Sequence, residues 1–182
     1  IMVTDCHVDT NQAGINFSDI LNVTITDCTL ENNSMGITGV TMCYSTITSV
    51  TIRGSGHSGV SGMYLDGVTI ENSDISNNFA NGIFVTDSSQ VSIIGNTLNG
   101  NGNGTVLRTV IRSILVDNVI QDSTNIGVVL KTTQQVELRE NVITDNGWYG
   151  ILVAPDSSHN VIYNNTFARN ILGNARDDGQ DN

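Results

Sequence analysis

The sequence predicts an all-β protein: a right-handed single-stranded parallel β-helix of about eight coils, with roughly 22 to 23 residues in each coil. Three observations lead to this prediction. A repeat of that length runs along the whole chain, a glycine and a short apolar run follow most of the repeats, and asparagines recur at fixed positions within them. The whole chain, residues 1–182, is therefore expected to be one β-helix domain.

The repeat is visible when the chain is compared with itself at a shift of 22 or 23 residues. The segments brought into register include ITDCTLENN at 25–33, IENSDISNN at 70–78, IIGNTLNGN at 93–101, LRENVITDN at 138–146 and IYNNTFARN at 162–170. A period near 22 is too short for helix-pair repeats, but three short strands and their turns fill it. One coil is predicted to have strands at 82–86, 91–94 and 97–98.

Strand alternation predicts the core of that coil, with Ile83, Val85, Val91, Ile93 and Leu98 pointing inward. Because equivalent positions of successive coils lie over one another, the recurring asparagines should stack as two columns of side-chain amides at the turns. The first column contains Asn96, Asn118, Asn141 and Asn165, and the second contains Asn11, Asn33, Asn78, Asn101, Asn146 and Asn170. Cys6 and Cys28 share the position of the first column, where we expect stacked thiols, since in-register neighbours have poor disulfide geometry.

One stretch interrupts the pattern. Between residues 40 and 62 the turn asparagines are replaced by Gly54, Gly56, Gly59 and Gly62. Two interpretations stay open for this coil: a widened turn that shapes a binding surface, or a local bulge.

The charge balance excludes some partners. Seven basic residues against 18 acidic ones give a formal net charge of -11, which disfavours nucleic acid and anionic membrane surfaces. No apolar run has the roughly 18 to 20 residues of a membrane span. Since the first residues already read as strand, the chain is expected to be part of a longer secreted or surface polypeptide.

These repeats resemble the parallel β-helix superfamily built from pectate-lyase-like repeats. Residues 141–170 and the tail GNARDDGQDN look most like the carbohydrate-binding and sugar-hydrolase modules of NosD-like and other surface proteins. The resemblance implies an extracellular, cell-surface or periplasmic location and a polysaccharide ligand. It also implies an enzyme of the lyase, hydrolase or epimerase class, or the binding portion of one.

Sharper family signatures are only partly present. GSGHSG around His57 is similar to the Gly-His-Gly of polygalacturonases, but the matching Asp pair is missing. Tyr149-Gly150 opens like the Tyr-Gly-x-Asp-Pro-His run of alginate epimerases but continues differently. No metal site is predicted, because His7, His57 and His159 lie in distant coils. Calcium is the cofactor left open, since pectate-lyase-like sites hold it with converging carboxylates.

In such a fold, polysaccharide usually lies on the outward side chains of the strands that follow the glycines. By alternation the outward positions that could bind substrate are Asn16, Tyr64, Phe84, Thr86, Arg108 and Lys131. Arg108 and Lys131 should stack on successive coils and could hold the carboxylate of an acidic sugar. Tyr64 and Asp66 are the candidate catalytic acid and base, with Arg108 and Lys131 stabilising charge.

An alternative follows from the same strip. Phe84, Val106, Val129 and Leu152 should form an outward apolar column, and such a column often packs against another surface. The alternative function is therefore a structural or adhesive β-helix that self-associates through this column.

Overall fold

The computed structural model describes residues 1–182, and all of its regular elements are β-strands. They form three parallel eight-stranded sheets, one on each face of a solenoid. This confirms the predicted right-handed parallel β-helix of about eight coils. No helix in the chain is long and apolar enough to cross a bilayer.

Each coil contributes one strand to each sheet. The A sheet contains β1 (Met2–Thr4), β4 (Thr24–Thr26), β7 (Thr46–Thr48), β10 (Thr69–Glu71), β13 (Ser92–Ile94), β16 (Ile114–Val116), β19 (Glu137–Arg139) and β22 (Val161–Tyr163). The B sheet contains β2 (His7–Asp9), β5 (Thr29–Glu31), β8 (Thr51–Arg53), β11 (Asp74–Ser76), β14 (Thr97–Asn99), β17 (Val119–Gln121), β20 (Val142–Thr144) and β23 (Thr166–Ala168). The C sheet contains β3 (Ala13–Leu21), β6 (Met35–Cys43), β9 (Val60–Met63), β12 (Asn81–Ser89), β15 (Asn103–Ile111), β18 (Val128–Lys131), β21 (Tyr149–Val153) and β24 (Gly173–Asp177).

The core is aliphatic and runs along the axis of the solenoid, as one cluster of 30 buried apolar residues. All five side chains predicted to point inward in the coil of β12 to β14 belong to it, and each is at most 1% exposed. Stacked Ile, Val and Leu columns suit this fold because branched side chains pack well on a pleated surface.

The predicted asparagine columns are present. The backbone N–H of Asn96 donates to Oδ1 of Asn118 at 2.9 Å, and Asn118 in turn donates to Oδ1 of Asn141 at 3.0 Å. The side-chain amides also donate to strand carbonyls of the preceding coil, as Asn118 does to Ile93 at 2.9 Å. These bonds satisfy turn groups that have no strand partner. Cys6 and Cys28 are free thiols, and Cys28 is buried.

The glycine-rich coil is neither widened nor bulged at its strands. Val50 and Ser55 take the two asparagine positions, and their N–H groups donate to Ser73 Oγ and Asn78 Oδ1. The strand that follows, β9, keeps register with both β6 and β12.

The predicted alignment in this coil is nevertheless wrong by three residues. Ser61, and not Tyr64, pairs with Phe84, while Met63 pairs with Thr86. The asparagines marked the frame in the other coils, and this coil lacks them at both positions.

Candidate functional site

Two outward columns on the C sheet form a continuous surface, which we call the C-sheet strip. The first column is Asn16, Thr38, Ser61, Phe84, Val106, Val129, Leu152 and Arg176. The second is Ser18, Val40, Met63, Thr86, Arg108 and Lys131. Strand pairing alone fixes which side chains are neighbours here, because equivalent positions lie roughly 4.8 Å apart along the axis.

Several predicted site residues lie on this strip. Arg108 and Lys131 are register partners and both are exposed. Phe84 is half-buried and lies two coils before Val129, in the apolar column. Asn16 is on the strip but three coils, or roughly 14 Å, from Phe84.

Thr86 is on the strip but is poorly placed to touch a ligand. Its side chain is 5% exposed, and its hydroxyl donates to Asp87 Oδ2 at 2.8 Å. It therefore orients this carboxylate.

Tyr64 and Asp66 lie beyond the end of β9 and not on the strip itself. They line a groove of about 470 Å³, which we call the corner groove, together with Leu65, Asp87, Ser88, Ser89, Thr109 and Ile111. Tyr64 has a φ of 55°, in the left-handed region, at the same corner as Asp87 and Thr109 of the next two coils. This bend turns the phenol ring outward, and the residue is 54% exposed.

Both carboxylates of the corner groove are held in place by neighbours. Asp66 Oδ1 accepts hydrogen bonds from Ser89 Oγ at 2.5 Å and from Gln90 Nε2 at 3.1 Å, both in the next coil. Asp87 is held by Thr86. Each carboxylate keeps lone pairs free for a ligand, so the groove offers two acceptors and a phenol within two coils.

The basic residues divide into two groups. Arg53, Arg139, Arg169 and Arg176 form ion pairs with nearby carboxylates. The other three, Arg108, Arg112 and Lys131, make no ion pair and lie on two adjacent coils. Arg112 was missed by the sequence reasoning, because it follows the end of β15 at a corner where alternation no longer applies.

A fixed carboxylate lies near this cationic group. Asp156 accepts hydrogen bonds from the Thr132 hydroxyl at 2.6 Å and from the Thr132 N–H at 3.1 Å. These bonds, and to a lesser extent the charge of Lys131, hold the pKa of Asp156 below its ordinary value. Asp156 therefore stays ionised beside Lys131 and offsets part of its positive charge. A ligand then needs to supply less negative charge to balance this group.

A second polar cluster lies on the A sheet, at a concavity of about 510 Å³ that includes His159. The Tyr163 hydroxyl donates to Glu137 Oε1 at 2.6 Å, and Arg139 Nε donates to the same oxygen at 2.8 Å. These donors hold the pKa of Glu137 below its ordinary value, and the hydrogen bond to Glu137 raises the pKa of Tyr163. Its Tyr163 and Arg139 donors are already paired with Glu137, so this cluster is a weaker candidate than the corner groove.

Three parallel sheets on the faces of one solenoid, buried amide columns and an exposed strip on one sheet define a protein of the right-handed parallel β-helix class. The chain belongs to the NosD family: the family model described as periplasmic copper-binding protein (NosD) matches residues 7–182. The predicted family resemblance is thus confirmed. A search of curated proteins found no match.

Solved structures of carbohydrate-active enzymes share the fold. The A-module of the Azotobacter vinelandii mannuronan C-5 epimerase AlgE4 superposes with a TM-score of 0.88 at 16% identity, over 97% of this chain and 55% of that one. A variant of the periplasmic alginate epimerase AlgG gives 0.78 at 18%, over 87% and 44%. A variant of the DFA-IIIase of Arthrobacter chlorophenolicus A6, in complex with DFA-III, gives 0.62 at 11%, over 86% and 49%.

This chain spans about half the length of each of these enzymes. At such identities the similarity establishes the fold alone, and the chemistry has to be argued from the residues present.

The residues do not fit the copper in the family's description. Copper favours imidazole, thiolate and thioether donors that converge on one point, yet the chain has no group of three or more His, Cys, Asp or Glu side chains arranged to hold a metal ion. Cys6 and Cys28 are stacked, but burial raises the pKa of the Cys28 thiol. A protonated thiol is a poor metal ligand. The same lack of a cluster leaves the calcium considered above without support.

Proposed function

We propose that the chain is a polysaccharide-binding and polysaccharide-modifying module that acts on an acidic polymer along the C-sheet strip. The observation that carries the proposal is the group of unpaired cations. In a chain of net charge -11, two of the three basic residues without an ion-pair partner, Arg108 and Lys131, are register neighbours on the strip, and the third, Arg112, follows the end of β15 on the coil of Arg108.

A uronic acid polymer carries regularly spaced carboxylates that suit this group. Arg108 can bind a carboxylate through two parallel hydrogen bonds, and Lys131 on the next coil acts as a point charge. Arg112 adds a third cation beyond the strand end. The half-buried column from Phe84 to Leu152 supplies an apolar floor beside them.

The corner groove supplies the candidate chemistry. Removal of a proton next to a sugar carboxylate requires that the carboxylate charge be neutralised, which Arg108 and Lys131 would do. Asp66 is the proposed base and Tyr64 the proposed acid, with Asp87 close to both. A lyase or an epimerase uses such a set directly, and the structurally similar AlgE4 and AlgG proteins are named as epimerases.

We place this function in the periplasm or outside the cell. The family description and the AlgG name both specify the periplasm, where a polysaccharide substrate would be accessible. A location at the cell surface after secretion is also consistent with this proposal.

The binding test removes two cations from the strip. The double substitution Arg108→Ala, Lys131→Ala should weaken binding to alginate and polygalacturonate at least tenfold in isothermal titration at low salt, where surface charges act most strongly. The matched control, Arg53→Ala with Arg169→Ala, removes the same charge from other faces and should change affinity less than about twofold. Equal losses in both double variants would refute a defined cationic site.

The activity test separates chemistry from binding. Asp66→Asn and Tyr64→Phe should each reduce turnover at least 100-fold while the affinity for polymer stays within about threefold. Formation of unsaturated sugar, followed by its ultraviolet absorbance, reports a lyase, and proton exchange at the sugar carbon, followed by NMR, reports an epimerase. Full activity in both variants would exclude the corner groove as the reaction site.

The structural alternative keeps one observation in its favour, the apolar column from Phe84 to Leu152. If this column mediates self-association, sedimentation velocity should show a dimer that Val129→Asp dissociates. A monomer at all concentrations would rule this function out.

A further inference from the structure

A second groove lies on a different edge of the solenoid, where the B sheet turns into the C sheet. We call it the Phe79 groove. It has a volume of about 790 Å³ and is lined by 10 residues, among them Gly54, Gly56, Phe79, Gly102 and Asn125. β12 separates it from the corner groove, because Phe79 precedes this strand and Asp87 lies near its end.

Phe79 is the most exposed large apolar side chain of the protein, at 83%. Backbone hydrogen bonds explain why. Phe79 N–H donates to Ser55 O at 2.9 Å and Gly102 N–H donates to Asn78 O at 3.1 Å, so Phe79 lies in register between Gly56 of the preceding coil and Gly102 of the following one. Both of its stacking neighbours lack a side chain, so nothing from these two positions covers the ring.

Packing does not require a glycine at both positions. A Cβ at Gly102 would collide with the carbonyls of Phe79 and Ala80, so this glycine is needed by the turn itself. A Cβ at Gly56 would meet nothing nearer than 3.6 Å and the backbone there is not left-handed. The fold therefore does not explain why the position stacked before Phe79 is a glycine.

The rim of the groove is polar and uncharged. Asn77, Thr124 and Asn125 line it, and their side chains form no hydrogen bond within the protein. None of the 10 lining residues is ionisable, although the chain as a whole has a net charge of -11. A charged ligand would find no countercharge here.

The shape fits a chain rather than a single small molecule. Lining residues come from four successive coils, from Gly54 to Asn125, which span roughly 14 Å along the axis at the usual strand spacing. An open aromatic ring can stack on the C–H face of a sugar, and amides and hydroxyls can pair with its hydroxyl groups.

We propose that the Phe79 groove binds a neutral polysaccharide chain lying along the solenoid axis, with one sugar stacked on Phe79. This inference shares with the proposed function only the premise that the ligand is a glycan. The site lies on a different edge of the solenoid, and its ligand is neutral and not acidic. The protein would then hold neutral and acidic glycans on separate tracks.

The experiment measures binding of laminarin, dextran, mannan, xylan and inulin by affinity electrophoresis and isothermal titration. At least one of these should bind the native chain, and Phe79→Ala should weaken that binding at least tenfold. Gly56→Leu, which adds a large side chain at the position stacked before Phe79 in the groove lining, should do the same. Leu21→Ala is the matched control, because Leu21 is 62% exposed but lies at the end of β3, on a different edge of the solenoid, and it should leave the affinity unchanged.

The outcomes separate this inference from the proposed function. If no neutral polymer in the panel binds, or if binding survives Phe79→Ala, the inference is overturned, whatever alginate does. If alginate binding is insensitive to Arg108→Ala with Lys131→Ala while neutral binding depends on Phe79, the proposed function fails and this inference stands. Circular dichroism and thermal melts verify that each variant is folded.

Discussion

At the scale of single residues, the asparagine column and the glycine column are coupled. The side-chain amide of Asn146 lies 3.0 Å from where a Cβ on Gly127 would be, and the amide of Asn101 lies 2.9 Å from the same point on Gly82. Each amide thus occupies space that the glycine of the preceding coil leaves open. This is why a glycine follows most of the asparagines three or four residues later.

Two coils break this coupling, since Ser55 and Ser123 take the asparagine position. Both hydroxyls are buried without a hydrogen-bond partner. We expect Ser123→Asn to stabilise the protein by about 1 kcal/mol, because the amide would donate to a carbonyl of the preceding coil as Asn101 does to Ile75. Gly104 has no Cβ to obstruct it. Urea denaturation measures the change in the free energy of unfolding.

Ser123→Ala is the control for that substitution. It removes only an unpartnered hydroxyl and should change stability by less than about 0.5 kcal/mol. If Ser123→Asn destabilised the protein, the amide would not fit against Gly104 and the coupling of the two columns would be wrong.

The columns also show what the sequence could and could not predict. Asn96, Asn118 and Asn141 were assigned correctly because each is a residue whose stacking is visible as a repeat. Tyr64 and Asp66 were assigned to the wrong strand positions because their coil has Val50 and Ser55 where most other coils have asparagines. Arg112 and Phe79 were not predicted as site residues because they lie in turns between strands, where strand alternation does not predict which way a side chain points.

At the scale of strands, two inward positions of the C sheet hold one large and one small side chain in each of two neighbouring coils, but in opposite order. In β12 these positions hold Val85 and Ser88, while the preceding coil holds Gly62 and Leu65. A Cβ on Gly62 would collide with the Leu65 side chain. Leu65 therefore fills the core volume that Gly62 leaves empty, and it is 4% exposed.

This exchange predicts a compensating pair. Gly62→Val alone should overpack the core and Leu65→Ser alone should leave a cavity, each destabilising the protein by about 2 to 4 kcal/mol. The double variant copies the β12 arrangement, and its loss should be smaller than the sum of the single losses by at least about 1 kcal/mol. Denaturant titration of the four proteins gives the coupling energy.

Additive losses would contradict the compensation. Gly39→Val is a useful comparison, because the neighbouring coil pairs Gly39 with Met42 in the same way. Methionine is flexible, so this overpacking should cost less than Gly62→Val does.

At the scale of the whole molecule, carboxylates on the surface join successive coils. Asp9 accepts a hydrogen bond from Asn32, Glu137 from Tyr163, and Asp145 a bidentate pair from Arg169. Hydrogen bonds hold the pKa of each of these carboxylates below its ordinary value: at Asp9 from the Thr10 hydroxyl first and Asn32 second, and at the other two chiefly from Tyr163 and Arg169. A group of this kind adds stability above its unfolded pKa, and that stability is lost as the pH falls through the lower folded pKa.

Asp145→Asn tests this acid dependence. At pH 7 the substitution should lower Tm by about 1 to 3 °C, because the Arg169 side chain loses its charged partner. The deficit should shrink as the pH falls below about 4, near the ordinary pKa of an aspartate, since the native carboxylate then becomes protonated and the two proteins become alike. Loss of net negative charge in acid affects both proteins equally and cancels in the comparison.

Asp117→Asn, at an exposed aspartate without an ion pair, is the control and should follow the native protein at every pH. A deficit of the same size at pH 7 and pH 2 would show that Asp145 acts by its shape and not by its charge.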